Sequence, residues 1–283
     1  MSTLANLVNA LRRGAPQALV PLLVQVRLWL AWSRRAVRED ARAQMGFLLE
    51  AARPDADVDA AAKKYVRRMI WRAEARWHLP LLTEQRVEGI EHLLAARDLG
   101  RGVIVNYMHH GGYEGLSSSV ARLGVRCHML GFDHIFGQDA PAWLKQNLRV
   151  STHGGNTTVS VKVGSQGIVE LLNQGLVVTL ASDVPGRTPV HFAGRDLMGS
   201  FGAARIAAST DSPVVVATSE VDVEGRPFVR IHEPLHPADF ESPKELLEEM
   251  LRIHEPVILT WPEGCDIPLS RWVLAPAETK VAS

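Results

Sequence analysis

The residues best suited to chemistry lie in segment 102–115, GVIVNYMHHGGYEG. An apolar run ends at His109-His110, two glycines follow, and Tyr113-Glu114 opens a predicted helix. An imidazole accepts protons near neutral pH, and a carboxylate beside it fixes the ring tautomer and stabilises the imidazolium. His109 with Glu114 as its partner therefore predicts a general base that takes a proton from a hydroxyl or an amine.

The proposed pairing depends on the glycines between the two residues. On one continuous helix, His109 and Glu114 would lie about 140° apart around the axis and would not meet. Gly111-Gly112 permits a sharp turn, so a glutamate in the first turn of the next helix can reach back to the ring. His110 is the rival base, because it lies four positions from Glu114.

Two other kinds of site are weaker interpretations of this region. Cys127 is expected to be a core residue of a strand, in preference to a nucleophile. A metal site would have to use histidines whose spacing matches no familiar ligand pattern, namely His109, His110, His128 and His134. We therefore expect neither a metal nor a cofactor.

The elements around this segment alternate between strand and helix. Strands are predicted at 103–105, 126–130, 176–181, 213–219 and 227–231, with helices at 113–123, 139–148, 164–174, 199–209 and 242–254. Such alternation predicts an α/β fold with a mostly parallel central sheet flanked by helices. Catalytic groups gather at the carboxyl ends of parallel strands, where His109 would stand. The polar stretch 151–165 is predicted to be a long loop.

The N-terminal part has a different pattern. Residues 1–98 have helical periodicity, and we divide the chain into a helical region, 1–80, and an α/β domain, 81–283. The apolar stretch 18–32 would reach roughly 23 Å as a helix, short of a membrane core of about 30 Å. It is expected to pack on its own protein, or to lie in a membrane interface with Trp29 and Trp32 at headgroup level.

The amino-acid composition limits the classes of binding partner and the cellular compartment that we expect for this protein. Lys plus Arg equals Asp plus Glu at 31 each, which gives no nucleic-acid signature. Residues 1–75 nevertheless hold 13 basic against 7 acidic side chains, a bias that suits an anionic surface or a solvated helix face. The two cysteines suggest no disulfide framework, and the first residues do not resemble a signal peptide. A cytoplasmic protein, peripheral on the inner face of the membrane if it binds lipid, is expected.

The stretch VEGIEHLLAARDLGRGVIVNYMHHGGYEG resembles the core of the bacterial lipid A lauroyl/myristoyl acyltransferases and the phosphatidylinositol mannoside acyltransferases. These belong to the lysophospholipid/glycolipid acyltransferase superfamily. Their H-x-x-x-x-D/E signature falls on His109 and Glu114, which the resemblance implies are the base and its orienting acid. Tyr113 stands at a position where relatives have tryptophan, and it is an expected substrate contact.

A second block, ASDVPGRTPVHFAGRDLMGSFGAARIAASTDSPVVVAT, is similar to the acidic loop, helix and strand that follow in the same family. The resemblance implies substrate-binding roles for Asp183, in the acidic loop, and for the start of the helix. There the free backbone N–H groups near Ser200 and Gly202, with Arg205, would hold a phosphate or an oxyanion.

The resemblance implies a glycerol-3-phosphate acyltransferase-like fold. It also implies transfer of a fatty acyl group from a thioester, on coenzyme A or acyl carrier protein, to a hydroxyl or amine of a glycolipid or phospholipid. Alternatives are the same chemistry on a soluble metabolite or carrier-bound acceptor, a thioester hydrolase, and a non-catalytic lipid-binding protein. None of these implies a cofactor.

Overall fold

The computed structural model describes residues 9–10, 12–137 and 139–275. The prediction about a signal peptide concerns a segment that lies mostly outside these residues. The N-terminal region is helical, as predicted, with α1 (Val20–Trp32), α2 (Arg35–Leu49), α3 (Val58–Ala75) and α4 (Leu79–Thr83). Asp57 caps α3 by accepting a hydrogen bond from the backbone N–H of Ala60 at 2.9 Å.

A seven-stranded sheet follows, in the order β1-β9-β8-β2-β5-β3-β4. Its strands are β1 (Arg86–Glu88), β2 (Val103–Tyr107), β3 (Cys127–Gly131), β4 (Thr157–Ser160), β5 (Val177–Ala181), β8 (Val214–Val221) and β9 (Pro227–Leu235). Neighbouring strands are parallel except for β8 and β9. The predicted α/β class with a mostly parallel sheet is therefore confirmed.

Helices cover the sheet and fill its connections. They are α5 (Ile90–Asp98), α6 (Leu116–Ala121), α7 (Asp133–Phe136), α8 (Ala142–Ser151), α9 (Gly164–Asn173), α10 (Gly202–Thr210), α11 (Pro243–Thr260) and α12 (Pro268–Arg271). A small antiparallel sheet of β6 (Thr188–Phe192), β7 (Arg195–Gly199) and β10 (Val273–Leu274) stands beside the main one.

The apolar core lies on both faces of the main sheet. Side chains alternate along β2, so that Val103 and Val105 join one cluster and Ile104 joins the other. The cluster around Ile104 also contains Val20 of α1 and Met45 of α2, so the N-terminal helices share a core with the sheet. The division of the chain at residue 80 stays a prediction.

Two parts of the structure differ from the sequence-based expectation. Segment 151–165 is not one loop, because it contains β4, an edge strand whose polar Thr and Ser side chains give no apolar alternation. The β6–β7 hairpin was not predicted either. Its turn places both Ala193 (φ 53°) and Gly194 (φ 69°) in the left-handed region, a conformation uncommon for alanine.

The apolar helix α1 lies against α3, with Val20, Val24 and Leu28 buried. Its other side leaves large apolar side chains exposed, namely Leu19, Leu22, Leu23, Val26, Trp29 and Leu30. Within the described ranges, no helix combines the length and the apolar character needed to cross a membrane.

Candidate active site

His109 stands just beyond the carboxyl end of β2, where a tight turn sets the direction of the chain. Gly111 has φ +61°, and a Cβ there would lie 2.3 Å from the Cβ of Ser219. A Cβ on Gly112 would lie 2.0 Å from Oε1 of Gln85. Glycine is thus required at Gly111, where φ is positive and β8 is close, whereas at Gly112 a larger residue would displace the Gln85 side chain. This turn fixes the backbone that carries His109.

Asp183 holds the imidazole of His109. It follows β5, the parallel neighbour of β2, so the two residues meet at one edge of the sheet. The Nδ1 atom of His109 lies 2.8 Å from Oδ1 of Asp183, and the backbone N–H of His109 donates to Oδ2 at 2.9 Å. A carboxylate can only accept, so Nδ1 carries the proton and Nε2 is left as the basic atom.

The predicted pairing of His109 with Glu114 is wrong. Among the hydrogen bonds and ion pairs of the described residues, none joins these two side chains; Oε1 of Glu114 accepts from Nε and Nη2 of Arg72 at 2.9 and 2.6 Å. Glu114 lies in a short 3₁₀ turn, and Arg72 reaches it from α3. A buried guanidinium with two donors is a stronger partner for a carboxylate than a neutral ring.

Arg72 also connects Glu114 to a second buried acid. Its Nη1 lies 2.9 Å from Oδ1 of Asp266, and its Nη2 donates to the hydroxyl of Tyr113 at 2.9 Å. That hydroxyl donates to Oδ2 of Asp266 at 3.0 Å, and burial raises the pKa of Tyr113, which keeps the donor proton in place. The ring of Tyr113 in turn meets that of His109 edge-on, with centroids 4.7 Å apart.

A second arginine completes this network on the side of His109. Nη2 of Arg271 donates to Oδ2 of Asp266 at 2.8 Å, and its Nε lies 3.7 Å from Oδ2 of Asp183. Burial opposes ionisation of Asp266, but Arg72 and Arg271 outweigh it and hold the pKa of that carboxyl well below its ordinary value. Alternating charges therefore run from Glu114 to the carboxylate that orients His109.

The rival base, His110, is turned away from this network. Its Nε2 lies 2.8 Å from the carbonyl oxygen of Trp261, where the ring N–H donates. Burial lowers the pKa of His110 to about 4, so the ring is neutral at pH 7. With one nitrogen engaged by a carbonyl, His110 is poorly placed to serve as the base.

A cavity of about 880 Å³ opens beside His109. Its polar end is formed by His109, Tyr113 and Glu114 from the β2–α6 connection. Its far wall is mainly apolar and comes from β3, α7 and α8, with Met129, Leu130, Ile135, Trp143, Leu144 and Leu148. The size is that of an ordinary ligand site, and the division into a polar end and an apolar wall suits an amphipathic ligand.

The residues predicted to bind substrate fall into two groups. Tyr113 lines the cavity, while Asp183 lies directly behind His109 and positions it, a role that differs from the one expected. Ser200, Gly202 and Arg205 are not among the residues that line the cavity, and Arg205 is exposed on α10. The helix start predicted to hold an oxyanion is thus not part of this site.

Sequence reasoning missed Arg72, Asn147, Asp266 and Arg271 as residues of the site. The spacing of Arg68, Arg72 and Arg76 is visible as one face of a helix, but arginines at such spacing are usually solvated. Asn147 carries no local signal, because it lies at the cavity only through the packing of α8 against the Tyr113–Gly115 turn.

Two further expectations concern cysteine and metal. Cys127 is buried in β3, as predicted, and burial raises the pKa of its thiol to about 12, far from that of a nucleophile. Over the described residues, no group of histidine, cysteine and acidic side chains is arranged to hold a metal ion.

Comparison with protein families and with curated proteins gives no match for this chain. Among solved structures, the chain is similar to the 1-acyl-sn-glycerophosphate (LPA) acyltransferase PlsC from Thermotoga maritima. The identity is 18%, the alignment covers 83% of this chain and 94% of that one, and the TM-score is 0.42. A likeness of this degree assigns no role to any residue.

Proposed function

We propose that this chain is an acyltransferase in which His109 is the general base and Asp183 its orienting carboxylate. The observation that carries the proposal is the 2.8 Å contact between Nδ1 of His109 and Asp183, which leaves Nε2 as the basic atom of a residue lining a largely apolar cavity. The fatty chain of an acyl thioester, on coenzyme A or acyl carrier protein, suits the apolar wall. The local resemblance around His109 supports the same reaction class.

In the proposed reaction the acyl group is transferred directly from donor to acceptor. Nε2 of His109 removes the proton from an acceptor hydroxyl or amine as that atom attacks the thioester carbonyl carbon. The tetrahedral intermediate collapses with cleavage of the carbon–sulfur bond, and the imidazolium returns its proton to the departing thiolate. Asp183 stabilises the imidazolium between the two steps. The products are an acylated acceptor and a free thiol.

The base is tested by replacing His109 with alanine. General-base help is typically worth about 10²–10⁴ in rate, so His109→Ala should lose acyl transfer by that factor. His191→Ala is the matched control, since His191 also contacts an aspartate but lies exposed on the β6–β7 hairpin. Products of labelled acyl-CoA and a lipid extract would be identified by mass spectrometry.

The same assay distinguishes an acyltransferase from a thioester hydrolase. With the acceptor absent, release of free acid at the rate of transfer would assign His109 to activation of water. Unaltered transfer by His109→Ala would contradict the proposed base. Transfer that requires an acceptor and is lost in His109→Ala, but not in His191→Ala, is the expected result.

We further propose that α1 brings the protein to a lipid surface as a peripheral protein. The support is the apolar side of α1, where Leu22, Val26 and Trp29 are exposed although the opposite side is already buried. Lys63 lies beside Trp29 and Trp32, which suits an anionic headgroup layer.

This surface is tested by flotation with anionic and zwitterionic vesicles. The Leu22→Ser/Trp29→Ser variant should lose vesicle binding, while Val223→Ser, which removes a fully exposed apolar side chain from the β8–β9 turn, should not. Equal flotation of the double variant and of the unaltered protein would refute the proposed surface and leave the reaction at His109 untouched.

A further inference from the structure

The polar end of the cavity holds a carboxylate oxygen without a partner. Oε1 of Glu114 accepts both donors of Arg72, but Oε2 is buried and has no hydrogen-bond partner among the described residues. The Glu114 side chain is only 4% exposed. A buried carboxylate oxygen can be satisfied only by a donor, so a ligand at this end of the cavity should bring one.

Asn147 gives a second indication of the same kind. It lies on α8 one turn before Ser151, whose hydroxyl donates to the backbone carbonyl of Glu114 at 3.1 Å. Asn147 and Ser151 therefore share the side of α8 that faces Glu114, and both line the cavity. The buried Oδ1 of Asn147 also has no partner among the described residues.

The charges around the cavity also favour a ligand that donates hydrogen bonds over one that carries negative charge. Its lining includes three acids, Glu114, Asp139 and Asp266, and Arg271 supplies the only lysine or arginine there among the described residues. Arg271 already contacts the side chain and carbonyl oxygen of Asp266 and lies near Asp183. A phosphate monoester carries about −1.5 to −2 charges at pH 7. It would meet no free cation among the described residues that line the cavity, since Arg76 contacts the ring of Trp143 but does not line the cavity itself.

We propose that the acceptor presents an uncharged or positively charged polar head with at least two hydrogen-bond donors. One donor, the reacting hydroxyl or amine, goes to Nε2 of His109, and another goes to Glu114, with Asn147 beside it. A phosphate monoester is excluded from this position. The inference rests on the proposed acyl transfer and specifies the chemical class of its acceptor.

The test uses acceptors in pairs that differ only by a phosphate. Monoacylglycerol is compared with its 3-phosphate, and sphingosine with its 1-phosphate, with palmitoyl-CoA as donor and the full chain as enzyme. In at least one pair the unphosphorylated member should have a kcat/KM about tenfold higher or more, because a site with unpaired polar groups rejects a mismatched ligand strongly. The first pair offers hydroxyls alone, and the second offers hydroxyls together with an amine. Equal or reversed preference in both pairs would overturn the inference.

A binding assay tests this inference independently of the proposed acyl transfer. The same four lipids are titrated into the unaltered protein without acyl-CoA, so that no transfer occurs, with tryptophan fluorescence as the readout, since Trp143 lines the cavity. Tighter binding of an unphosphorylated member supports the inference even if no transfer is detected. Equal binding within both pairs, tighter binding of the phosphates, or no binding of any of the four would refute it.

A positive charge introduced at Asn147 tests whether the preference for unphosphorylated acceptors arises in the cavity. Asn147→Lys should reduce the preference by about tenfold, because it places a cation beside the polar end. Asn173→Lys, at an exposed position at the end of α9, should leave the preference unchanged. If Asn147→Lys does not fold, Glu114→Gln serves instead, with the ratio of the two rates as the readout. An unchanged ratio in the variant that folds would contradict the placement of the acceptor head.

Discussion

Two histidine–aspartate pairs occur in this protein with nearly the same contact distance. Nδ1 of His109 lies 2.8 Å from Asp183, and Nδ1 of His191 lies 2.9 Å from Asp196. The side chains of the first pair are 17% and 7% exposed, whereas those of the second are 67% and 84% exposed. The second pair joins opposite positions of the β6–β7 hairpin.

The difference shows that a short contact alone does not define a site. Asp183 is held by a second bond, from the backbone N–H of His109, and has Arg271 nearby. His191 and Asp196 lie in solvent, where an ion pair contributes about 0–1 kcal/mol and side chains exchange partners readily. Burial, a second anchor and an adjoining cavity distinguish the pair suited to catalysis.

The largest expected effect comes from neutralising the buried carboxylate. Asp183→Asn lets the ring adopt the wrong tautomer and should lower kcat by up to about 10⁴-fold. Asp196→Asn should leave kcat unaltered. Steady-state transfer assays of the two variants compare the pairs directly, and similar losses in both would break the distinction drawn from burial.

Removal of the buried cation behind the site should affect stability more than any change at the hairpin. Arg72→Met leaves Glu114 without its partner and Asp266 with Arg271 as its one cation, so the free energy of unfolding should fall by about 3–5 kcal/mol. Urea denaturation measures this change. A loss below about 1 kcal/mol would mean that the network does not hold the acids as described.

The buried histidines His110 and His254 predict that the stability of the protein depends on pH. Burial lowers the pKa of His110 to about 4 and that of His254 to about 3. An unfolded histidine titrates near about 6.5, so the unfolded chain binds more protons between these values, and the folded state loses stability as the pH falls from about 6.5 toward 4. Urea midpoints between pH 7 and 4 should decrease accordingly.

His191→Ala is the control for this profile and should leave the slope of the urea midpoints against pH unchanged. His254→Asn should make the slope shallower, because it removes a buried ring whose Nε2–H donates to Oδ1 of Asn106 at 3.0 Å. An identical slope in His254→Asn would assign the acid sensitivity to other groups.

The smallest effect is expected at the exposed pair itself. Asp196→Asn should change the free energy of unfolding by no more than about 0.5 kcal/mol, since surface substitutions of this kind rarely exceed that value. Thermal unfolding monitored by circular dichroism is sufficient. A loss above about 2 kcal/mol would show that the hairpin pair is structurally more important than its exposure indicates.

The sequence was sufficient to place His109 but not to find its partner. An apolar run followed by two glycines marks the end of a buried strand, and that signal is local. Asp183 lies 74 positions away from His109. Its contact depends on β2 and β5 being neighbours, and strand order is not encoded in any short motif. Glu114 is the partner that the local signals predict, because the Gly111-Gly112 turn and the H-x-x-x-x-D/E signature both point to it.

For Arg72 and Arg205, too, the sequence did not reveal whether the side chain is buried or exposed. Arg72 belongs to a helix whose charged face looked solvated, yet packing of α3 against the Pro262–Gly264 turn buries it beside two acids. Arg205 belongs to a stretch that matches a family pattern, yet it points outward from α10. Which face of a helix is covered depends on its tertiary neighbours, and periodicity alone does not identify them.

The contact of Arg72 with Glu114 and Asp266 bears on how such chains can be recombined. The arginine comes from one end of the polypeptide, Glu114 from the middle and Asp266 from the other end. A chimera that exchanges residues 58–75 with those of a homologue must also exchange both acids. Otherwise one parent's cation is set against the other parent's side chains, and the hybrid keeps its sheet while losing charge balance beneath Tyr113.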